Sequence, residues 1–204
     1  MNSSKKHWEN VYEHKQLAEL SWYEQIPETS LNFISELSLP KDAAIIDIGG
    51  GNSMLADHLL ASGYVNVTVL DISEKAIKNA QQRLGNKAGA INWIVADVLH
   101  FKPSQQYAVW HDRAAFHFLT SPADQDAYLD TVHRALSTDG YVLMSTFAID
   151  GPVSCSGVPV QQYSQKSLAG LFDKYFINSG CIEKTHVTPA NTIQKFIFCG
   201  FKKK

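Results

Sequence analysis

Apolar residues in the first half of the chain form short continuous runs, and between these runs they recur at helical spacing. Three runs rich in β-branched residues predict strands. They lie at positions 43–48, 65–70 and 90–95. Between the second and third run, Ile77, Ala80 and Leu84 follow at i, i+3 and i+7, which predicts a helix with one apolar stripe. Ser73 precedes that helix as its predicted N-cap.

The same alternation continues into the second half of the chain. A fourth strand is predicted at 107–111. Ser121 and Pro122 predict the start of a helix, because serine caps a helix and proline fits its first turn. The dipeptide Asp139-Gly140 is predicted to end this helix and to open a fifth strand over 141–147.

The last part of the chain predicts a helix followed by a hairpin. Ser164 starts a helix that runs to about Tyr175, and two β-like segments follow within 181–201. The turn-rich sequence at 188–191 separates these segments and is short enough for an antiparallel hairpin. The stretch 151–163 contains prolines and glycines with little helical pattern, and we interpret it as a loop.

Alternating strands and helices predict a mainly parallel sheet with helices on both faces, a three-layer α/β/α architecture. Ligands in such folds bind in a crevice at the carboxyl ends of the strands. The 204 residues suffice for one domain. We divide it into a helical N-terminal cap (1–40), a central core (41–148) and a C-terminal part (149–204). Four aromatic residues of the cap are predicted either to cross the crevice or to pack on the domain: Trp8, Tyr12, Trp22 and Tyr23.

Composition narrows the possible partners. Binding to a phosphate backbone requires an excess of positively charged residues. The formal net charge of this chain is −2, so no nucleic-acid partner is expected. The sequence has neither a signal-peptide core nor a membrane-length apolar run, which predicts a cytoplasmic protein without a membrane partner. Cys155, Cys181 and Cys199 are odd in number and widely spaced, and they predict free thiols in a reducing compartment. Cys155 has no obvious base beside it, so we expect a packed thiol rather than a nucleophile.

Polar residues follow the first three predicted strands, where the crevice would open. The first strand runs into the sequence Asp47-Ile48-Gly49-Gly50-Gly51-Asn52, whose glycines permit a sharp turn and close approach of a ligand. Asp71 ends the second strand, 20 residues after Gly51, at the spacing of a carboxylate that binds ribose hydroxyls. Asp97 follows the third strand. Because unpaired buried carboxylates are costly, these acids favour a polar ligand over a tight turn that binds nothing.

This ordered set of motifs resembles that of the class I S-adenosylmethionine-dependent methyltransferases, which have a Rossmann-like fold. The resemblance covers residues from about 43 to 148. It implies a seven-stranded sheet with an antiparallel last strand, and S-adenosylmethionine as cofactor. It also implies that Gly49–Gly51 border the methionine moiety, that Asp71 binds the ribose, and that Asp97 and Val98 contact the adenine.

The whole predicted cofactor-binding set comprises the glycine loop, the strand-end acids and their neighbours: Asp47, Gly49, Gly50, Gly51, Asn52, Asp71, Ile72, Asp97, Val98 and His111. A nicotinamide-dependent dehydrogenase is the rival nucleotide-binding class. Its fingerprint would place a glycine where this chain has Met54, which weakens that alternative. A noncatalytic nucleotide-binding protein is a further alternative.

Candidate acceptor chemistry follows the fourth strand, at 110–119. His111 or His117 can take a proton from an amine or hydroxyl acceptor, and Arg113 can hold a thiolate or carboxylate. The structural alternatives are hydrogen-bonded histidines and an ion pair of Arg113 with a neighbouring acid such as Asp112. The predicted acceptor-binding residues are Trp22, Arg113, Phe116, His117 and Tyr163.

Two shorter resemblances point to different acceptors. The segment 112–114 resembles thiopurine-type and related small-molecule methyltransferases, whereas 7–12 resembles the opening of some protein-lysine methyltransferases. The compact chain favours a small-molecule acceptor, with a protein-lysine methyltransferase as the alternative. His111 and His117 have no third ligand at a recognisable spacing, so no metal is expected. The loop 151–163 is predicted to cover the acceptor pocket.

Overall fold

A sheet of seven strands forms the centre of the fold in the computed structural model, which describes residues 3–204. The strands of the described residues are β1 (Ile45–Ile48), β2 (Val67–Asp71), β3 (Ile91–Val95), β4 (Tyr107–Arg113), β5 (Leu136–Phe147), β6 (Ser154–Cys155), β7 (Val158–Pro159), β8 (Phe176–Val187) and β9 (Ile193–Lys203). The short strands β6 and β7 pair only with each other. The other strands form the central sheet.

The order across the central sheet is β3-β2-β1-β4-β5-β9-β8. Strands β1 to β5 are parallel, whereas β9 runs antiparallel to both β5 and β8. On β1, Asp47 pairs with Val69 of β2 on one side and with His111 of β4 on the other. The strand order reverses between β1 and β4, which creates a crevice at their carboxyl ends. The predicted fold, with its antiparallel terminal hairpin, is confirmed.

The described residues form six α-helices, two before β1 and four between later strands: α1 (Ser3–His14), α2 (Glu28–Glu36), α3 (Leu55–Ala61), α4 (Glu74–Leu84), α5 (Pro122–Ala135) and α6 (Gln165–Phe172). The predicted serine caps are all present. The hydroxyls of Ser73, Ser121 and Ser164 each accept a hydrogen bond from a backbone N–H in the first turn of α4, α5 and α6. Each hydroxyl satisfies an amide that has no partner within the helix.

The predicted boundaries near β5 and β8 are wrong. Asp139 and Gly140 do not open β5, because that strand already begins at Leu136, directly after α5. Between its pairings at Leu136 and Tyr141, β5 passes through an irregularity opposite β4, and Asp139-Gly140 lies within it. The last helix, α6, ends at Phe172 rather than near Tyr175, and β8 begins at Phe176, before the hairpin predicted within 181–201. Local turn signals did not reveal these pairings, which depend on distant strands.

The prediction of three free thiols is also wrong. Cys181 and Cys199 form a disulfide, and Cys155 is the free and buried cysteine. The bond arises because the antiparallel register places Cys181 of β8 directly opposite Cys199 of β9. An 18-residue separation in sequence therefore becomes a cross-strand contact. Cysteine content consequently no longer supports the predicted reducing compartment.

Apolar side chains cover both faces of the sheet. Neighbouring residues of β1 point to opposite faces, so that Ile45 packs with α2 and α3 and Ile46 packs with α5 and α6. A smaller cluster joins α1 to α4 through Val11, Tyr12 and Ala76. This arrangement leaves the carboxyl ends of the central strands facing α1. No helix in the part of the chain that the structure describes is long and apolar enough to cross a membrane.

Candidate active site

A cavity of about 300 Å³ lies at the carboxyl ends of β1 to β4, beneath α1. All three predicted segments of the chain contribute to its wall, for example Trp8 from the cap, Asp71 from the core and Cys155 from the C-terminal part. Half of the predicted cofactor-binding residues line it: Gly49, Asp71, Ile72, Asp97 and Val98. The cavity thus lies in the crevice that the strand order predicts.

The glycine loop after β1 brings main chain to the cavity wall. Gly49 has a positive φ of 63°, a conformation that favours glycine, and its N–H donates to the Leu70 carbonyl at 2.8 Å. A side chain at Gly51 would collide with the Asp71 carboxylate and with Cβ of Ala76. Glycine is therefore needed here so that the loop can pack directly against the acid at the end of β2.

The acids after β2 and β3 both reach the cavity. Asp71 is 4% exposed, and burial raises its pKa to about 7 despite hydrogen bonds from the N–H groups of Ser73 and Gly51. Asp97 accepts a hydrogen bond from the Leu99 N–H at 3.0 Å and so orders the turn that follows β3. Both carboxylates stand on the β3-β2 side of β1, which gives this end of the cavity an acidic character.

The predicted cofactor ligands Asp47 and His111 lie behind the wall, among buried residues. The His111 ring donates from Nδ1 to Asp47 Oδ1 at 2.6 Å, and its Nε2 bonds to the hydroxyl of Ser30 at 2.8 Å. All three side chains are buried and together tie β1 and β4 to α2. Asn52 faces away from this cavity, and its side chain is contacted there by Arg83, outside the cavity lining.

Aromatic rings form a second part of the cavity wall, which we call the aromatic end. The Trp8 ring lies 5.0 Å from Phe118 and 5.9 Å from Trp22, centroid to centroid, and Tyr12 lies 6.2 Å from Trp22. All four side chains line the cavity, and their edge-to-face contacts are favourable for aromatic pairs. The N-terminal aromatics were predicted either to cross the crevice or to pack on the domain. Trp8, Tyr12 and Trp22 do both, because they line the crevice and also pack on one another.

Arg113 is the cation in the cavity wall among the described residues. It pairs with Glu24 at 2.9 Å, donates to the Trp22 carbonyl at 2.9 Å, and lies over the Phe196 ring. Although burial alone would raise the pKa of Glu24, a hydrogen bond from His186 and the charge of Arg113 lower it. Glu24 therefore stays ionised beside the guanidinium.

The expected alternative partner of Arg113, Asp112, binds elsewhere. Its carboxylate accepts from the Tyr128 hydroxyl at 2.6 Å and from the N–H groups of Ala115 and Phe116. Burial raises the pKa of Asp112 to about 6. Successive residues of a strand point to opposite faces, so adjacent Asp112 and Arg113 meet different surroundings. Arg113 therefore does form an ion pair, as the structural alternative predicted, but its partner is Glu24 and not Asp112.

Three predicted acceptor ligands lie outside the cavity lining. Burial lowers the pKa of His117 to about 3, and its Nδ1 accepts from the Phe147 N–H, which leaves a neutral imidazole. Phe116 is buried against Tyr128 and Phe172. Tyr163 accepts a hydrogen bond from Gln125 at the base of the C-terminal loop. Phe116, His117 and Tyr163 therefore support the cavity wall from behind.

Sequence reasoning missed several wall residues. The cavity wall includes Ala114, Phe118 and Leu119, which follow β4 within the segment 110–119. Their apolar side chains suggest no particular chemistry when only the sequence is considered. Cys155 reaches the wall because β6 folds back over the site, and burial raises the pKa of its thiol. Glu24 also went unnoticed, since an isolated acid in an N-terminal loop carries no motif.

Comparison with known proteins finds relatives among the methyltransferases. Residues 45–140 match the model of a methyltransferase domain. EEF1A lysine methyltransferase 2 of Mus musculus is 25% identical over 70% of this chain and 65% of that protein. Malonyl-[acyl-carrier protein] O-methyltransferase 2 of Ilyobacter polytropus is 30% identical over 52% of this chain and 40% of that protein. The chain thus spans less than two thirds of either relative.

A solved structure extends the likeness to the fold. The 1,6-didemethyltoxoflavin-N1-methyltransferase of Burkholderia thailandensis, solved with 1,6-didemethyltoxoflavin and S-adenosylhomocysteine bound, superposes with a TM-score of 0.72. The superposition covers 99% of this chain and 84% of that one at 19% identity. The matched domain, the strand order and the crevice agree with one another. Residues 45–140 form a methyltransferase domain, and the chain has the Rossmann-like fold of the class I S-adenosylmethionine-dependent methyltransferases.

Proposed function

We propose that this protein transfers the methyl group of S-adenosylmethionine to a small-molecule acceptor. The observation that carries the proposal is one cavity whose wall combines two kinds of chemistry. Asp71 and Asp97 form its acidic end, and aromatic rings with Arg113 form its aromatic end. We also propose that the whole chain acts as one catalytic domain, since all three of its segments contribute to that cavity.

The acidic end suits the cofactor. Asp71 is a buried carboxylate whose raised pKa indicates that its hydrogen bonds do not fully compensate for the loss of water. Ribose hydroxyls would donate to Asp71 and supply that compensation. Asp97, Ile72 and Val98 would hold the adenine, and the main chain at Gly49 would border the methionine moiety.

The remaining task of the chain is to align the acceptor and exclude water. The sulfonium cofactor supplies an already activated methyl group when bound, so we propose a reaction that uses no metal. Trp8, Trp22 and Phe118 would hold a planar or apolar acceptor and keep water from the reacting atoms. Desolvation of this kind strengthens the electrostatic interactions inside a closed site.

The geometry supports structural rather than catalytic roles for the two histidines. Both ring nitrogens of His111 have partners, and His117 is neutral and buried outside the cavity lining. We therefore propose that His111 fixes Asp47 and the end of β1, and that an acceptor proton leaves to solvent. Arg113 would favour an acceptor that already carries negative charge, such as a thiolate or a carboxylate.

A protein-lysine acceptor is the second candidate, because one of the relatives is an EEF1A lysine methyltransferase. A lysine acceptor would have to place its ammonium group in a cavity that Arg113 lines, and lose a proton without a histidine in that lining. The cavity wall therefore favours the small-molecule reading.

The two candidates can be separated with labelled cofactor. Native protein is incubated with S-adenosylmethionine carrying a radioactive methyl group and with either metabolite or protein extract from the same cells. Label in the metabolite fraction, reduced in Asp71→Asn, supports the proposal. Label confined to protein bands supports the lysine alternative, and label in neither fraction contradicts methyl transfer to these cellular acceptors.

A further inference from the structure

The segment Trp8-Glu9-Asn10-Val11-Tyr12 of α1 serves two surfaces. Trp8 and Tyr12 are four positions apart, so they share one helix face, and both line the cavity. Glu9, next to Trp8, points instead to the start of α4. This division explains why an acid stands next to an aromatic residue that lines the cavity.

The Glu9 carboxylate closes the first turn of α4 from outside that helix. It accepts from the backbone N–H groups of Glu74 at 2.8 Å and Lys75 at 3.0 Å, and from the Ser73 hydroxyl at 2.9 Å. The Ser73 hydroxyl in turn accepts from the next free amide, that of Ala76. First-turn amides have no partner within a helix and favour negative charge nearby, so a carboxylate suits this position.

The same serine connects Glu9 to the cavity. The Ser73 N–H donates to Asp71 Oδ1 at 2.8 Å, while the Ser73 hydroxyl donates to Glu9. One residue thus links the acid on α1 to the acid that lines the cavity. A second contact between α1 and α4, from the Asn79 amide to the Tyr12 carbonyl, stabilises the same docked position of α1.

We propose that Glu9 is a positioning residue that latches α1 over the bound cofactor and, through Ser73, holds Asp71 in place. This inference rests on the proposed function, since it assigns the latch to cofactor capture. Release of Glu9 from α4 would free Trp8 and Tyr12 from the cavity and open a path for exchange. The latch then sets how long S-adenosylhomocysteine, the product formed from the cofactor, stays bound.

The first test needs no ligand. Amide hydrogen exchange is followed in the native chain, in Glu9→Ala and in Glu13→Ala, a matched control on the exposed face of the same helix. The proposal predicts faster exchange across residues 4–14 and at the first amides of α4 in Glu9→Ala, with native protection in Glu13→Ala. Equal protection of α1 in all three proteins would overturn it, whether or not a cofactor binds.

The second test measures cofactor release. Dissociation of S-adenosylhomocysteine is followed by stopped-flow tryptophan fluorescence, because Trp8 and Trp22 line the cavity. We expect release about tenfold faster in Glu9→Ala, the order expected for losing charge-assisted hydrogen bonds, with a smaller change in Glu9→Gln. Native release from both variants would overturn the latch. A native chain that binds no S-adenosylhomocysteine would contradict the proposed function instead, and hydrogen exchange would still test the docking of α1 by Glu9.

Discussion

Nδ1 of His111 donates to Oδ1 of Asp47 over 2.6 Å, and both side chains are buried where β1 meets β4. The pair sits directly behind the glycine loop, at the point where the strand order of the sheet reverses. The hydroxyl of Ser30 in α2 forms a hydrogen bond with Nε2, the other ring nitrogen of His111. Because neither His111 nor Ser30 lines the cavity, we propose that this histidine positions the strand end rather than transferring a proton.

Replacing His111 with Ala should lower the free energy of unfolding by about 3 kcal/mol, because Asp47 would remain buried without its donor. Urea denaturation measures the change. His100→Ala is the control, since that side chain is 81% exposed and its loss should cost less than about 0.5 kcal/mol. A stable His111→Ala variant that binds cofactor but has lost turnover would assign His111 to proton transfer after all.

The titration of Asp71 predicts how stability depends on pH. Its pKa in the folded chain, about 7, lies above the value of an unfolded aspartate, so the folded state binds the extra proton. The free energy of unfolding should therefore fall as pH rises from about 4 to 7 and then level off. Denaturation of native protein and Asp71→Asn at several pH values isolates this residue, because Asp112 shifts in the same direction in both. Parallel curves would contradict the raised pKa.

Cofactor affinity should show the opposite trend. If ribose hydroxyls donate to the Asp71 carboxylate, binding of S-adenosylhomocysteine strengthens as pH rises through about 7 and Asp71 loses its proton. Calorimetric titrations at pH 6 and pH 8 measure the difference. Asp71→Asn should bind more weakly and without this pH dependence, and an unchanged dependence in the variant would point to another group.

Arg113→Ala should reduce turnover by at least about tenfold while changing cofactor affinity much less, because Arg113 lies beside the aromatic end of the cavity. Turnover is measured with whichever acceptor the extract experiment identifies, and affinity is measured by calorimetry. Arg134→Ala, an exposed position on α5, controls for loss of positive charge. An equal loss of turnover and affinity would assign Arg113 to cofactor binding or to folding.

The disulfide makes a prediction about both chemistry and stability. Denatured, unreduced protein should take up one alkylating group, on Cys155, and reduced protein should take up three. Mass spectrometry counts the groups. Closing a loop of 18 residues should stabilise the fold by about 3 kcal/mol, so Cys181→Ser should lower the free energy of unfolding by that order. Three labels without reduction would contradict the bond.

Sequence reasoning recovered the features that depend on local patterns. Strand periodicity and the serine caps at Ser73 and Ser121 each depend on neighbouring residues, and the structure confirms them. Asp71 was placed at the crevice because strand ends in a parallel sheet meet at one edge. These signals suffice to identify the fold and the acidic end of the cavity.

The remaining features depend on contacts between distant parts of the chain. The pairing of Cys181 with Cys199 follows from the register of two strands, which no local motif specifies. The partner of Arg113 comes from a loop some 90 positions earlier, and neither Glu24 nor Glu9 stands in a pattern that reveals its partner. The aromatic end could be anticipated only as two alternatives, because a ring suited to a pocket is equally suited to a core.

Calorimetric titration of the native chain with S-adenosylhomocysteine tests the central claim most directly. We predict one binding site per chain, with affinity weakened in Asp71→Ala, because the carboxylate that lines the acidic end of the cavity would be lost. Circular dichroism establishes that both proteins are folded before the titration. A folded native chain that releases no heat of binding with either S-adenosylhomocysteine or S-adenosylmethionine, at several temperatures, would contradict the assignment of this cavity to the cofactor.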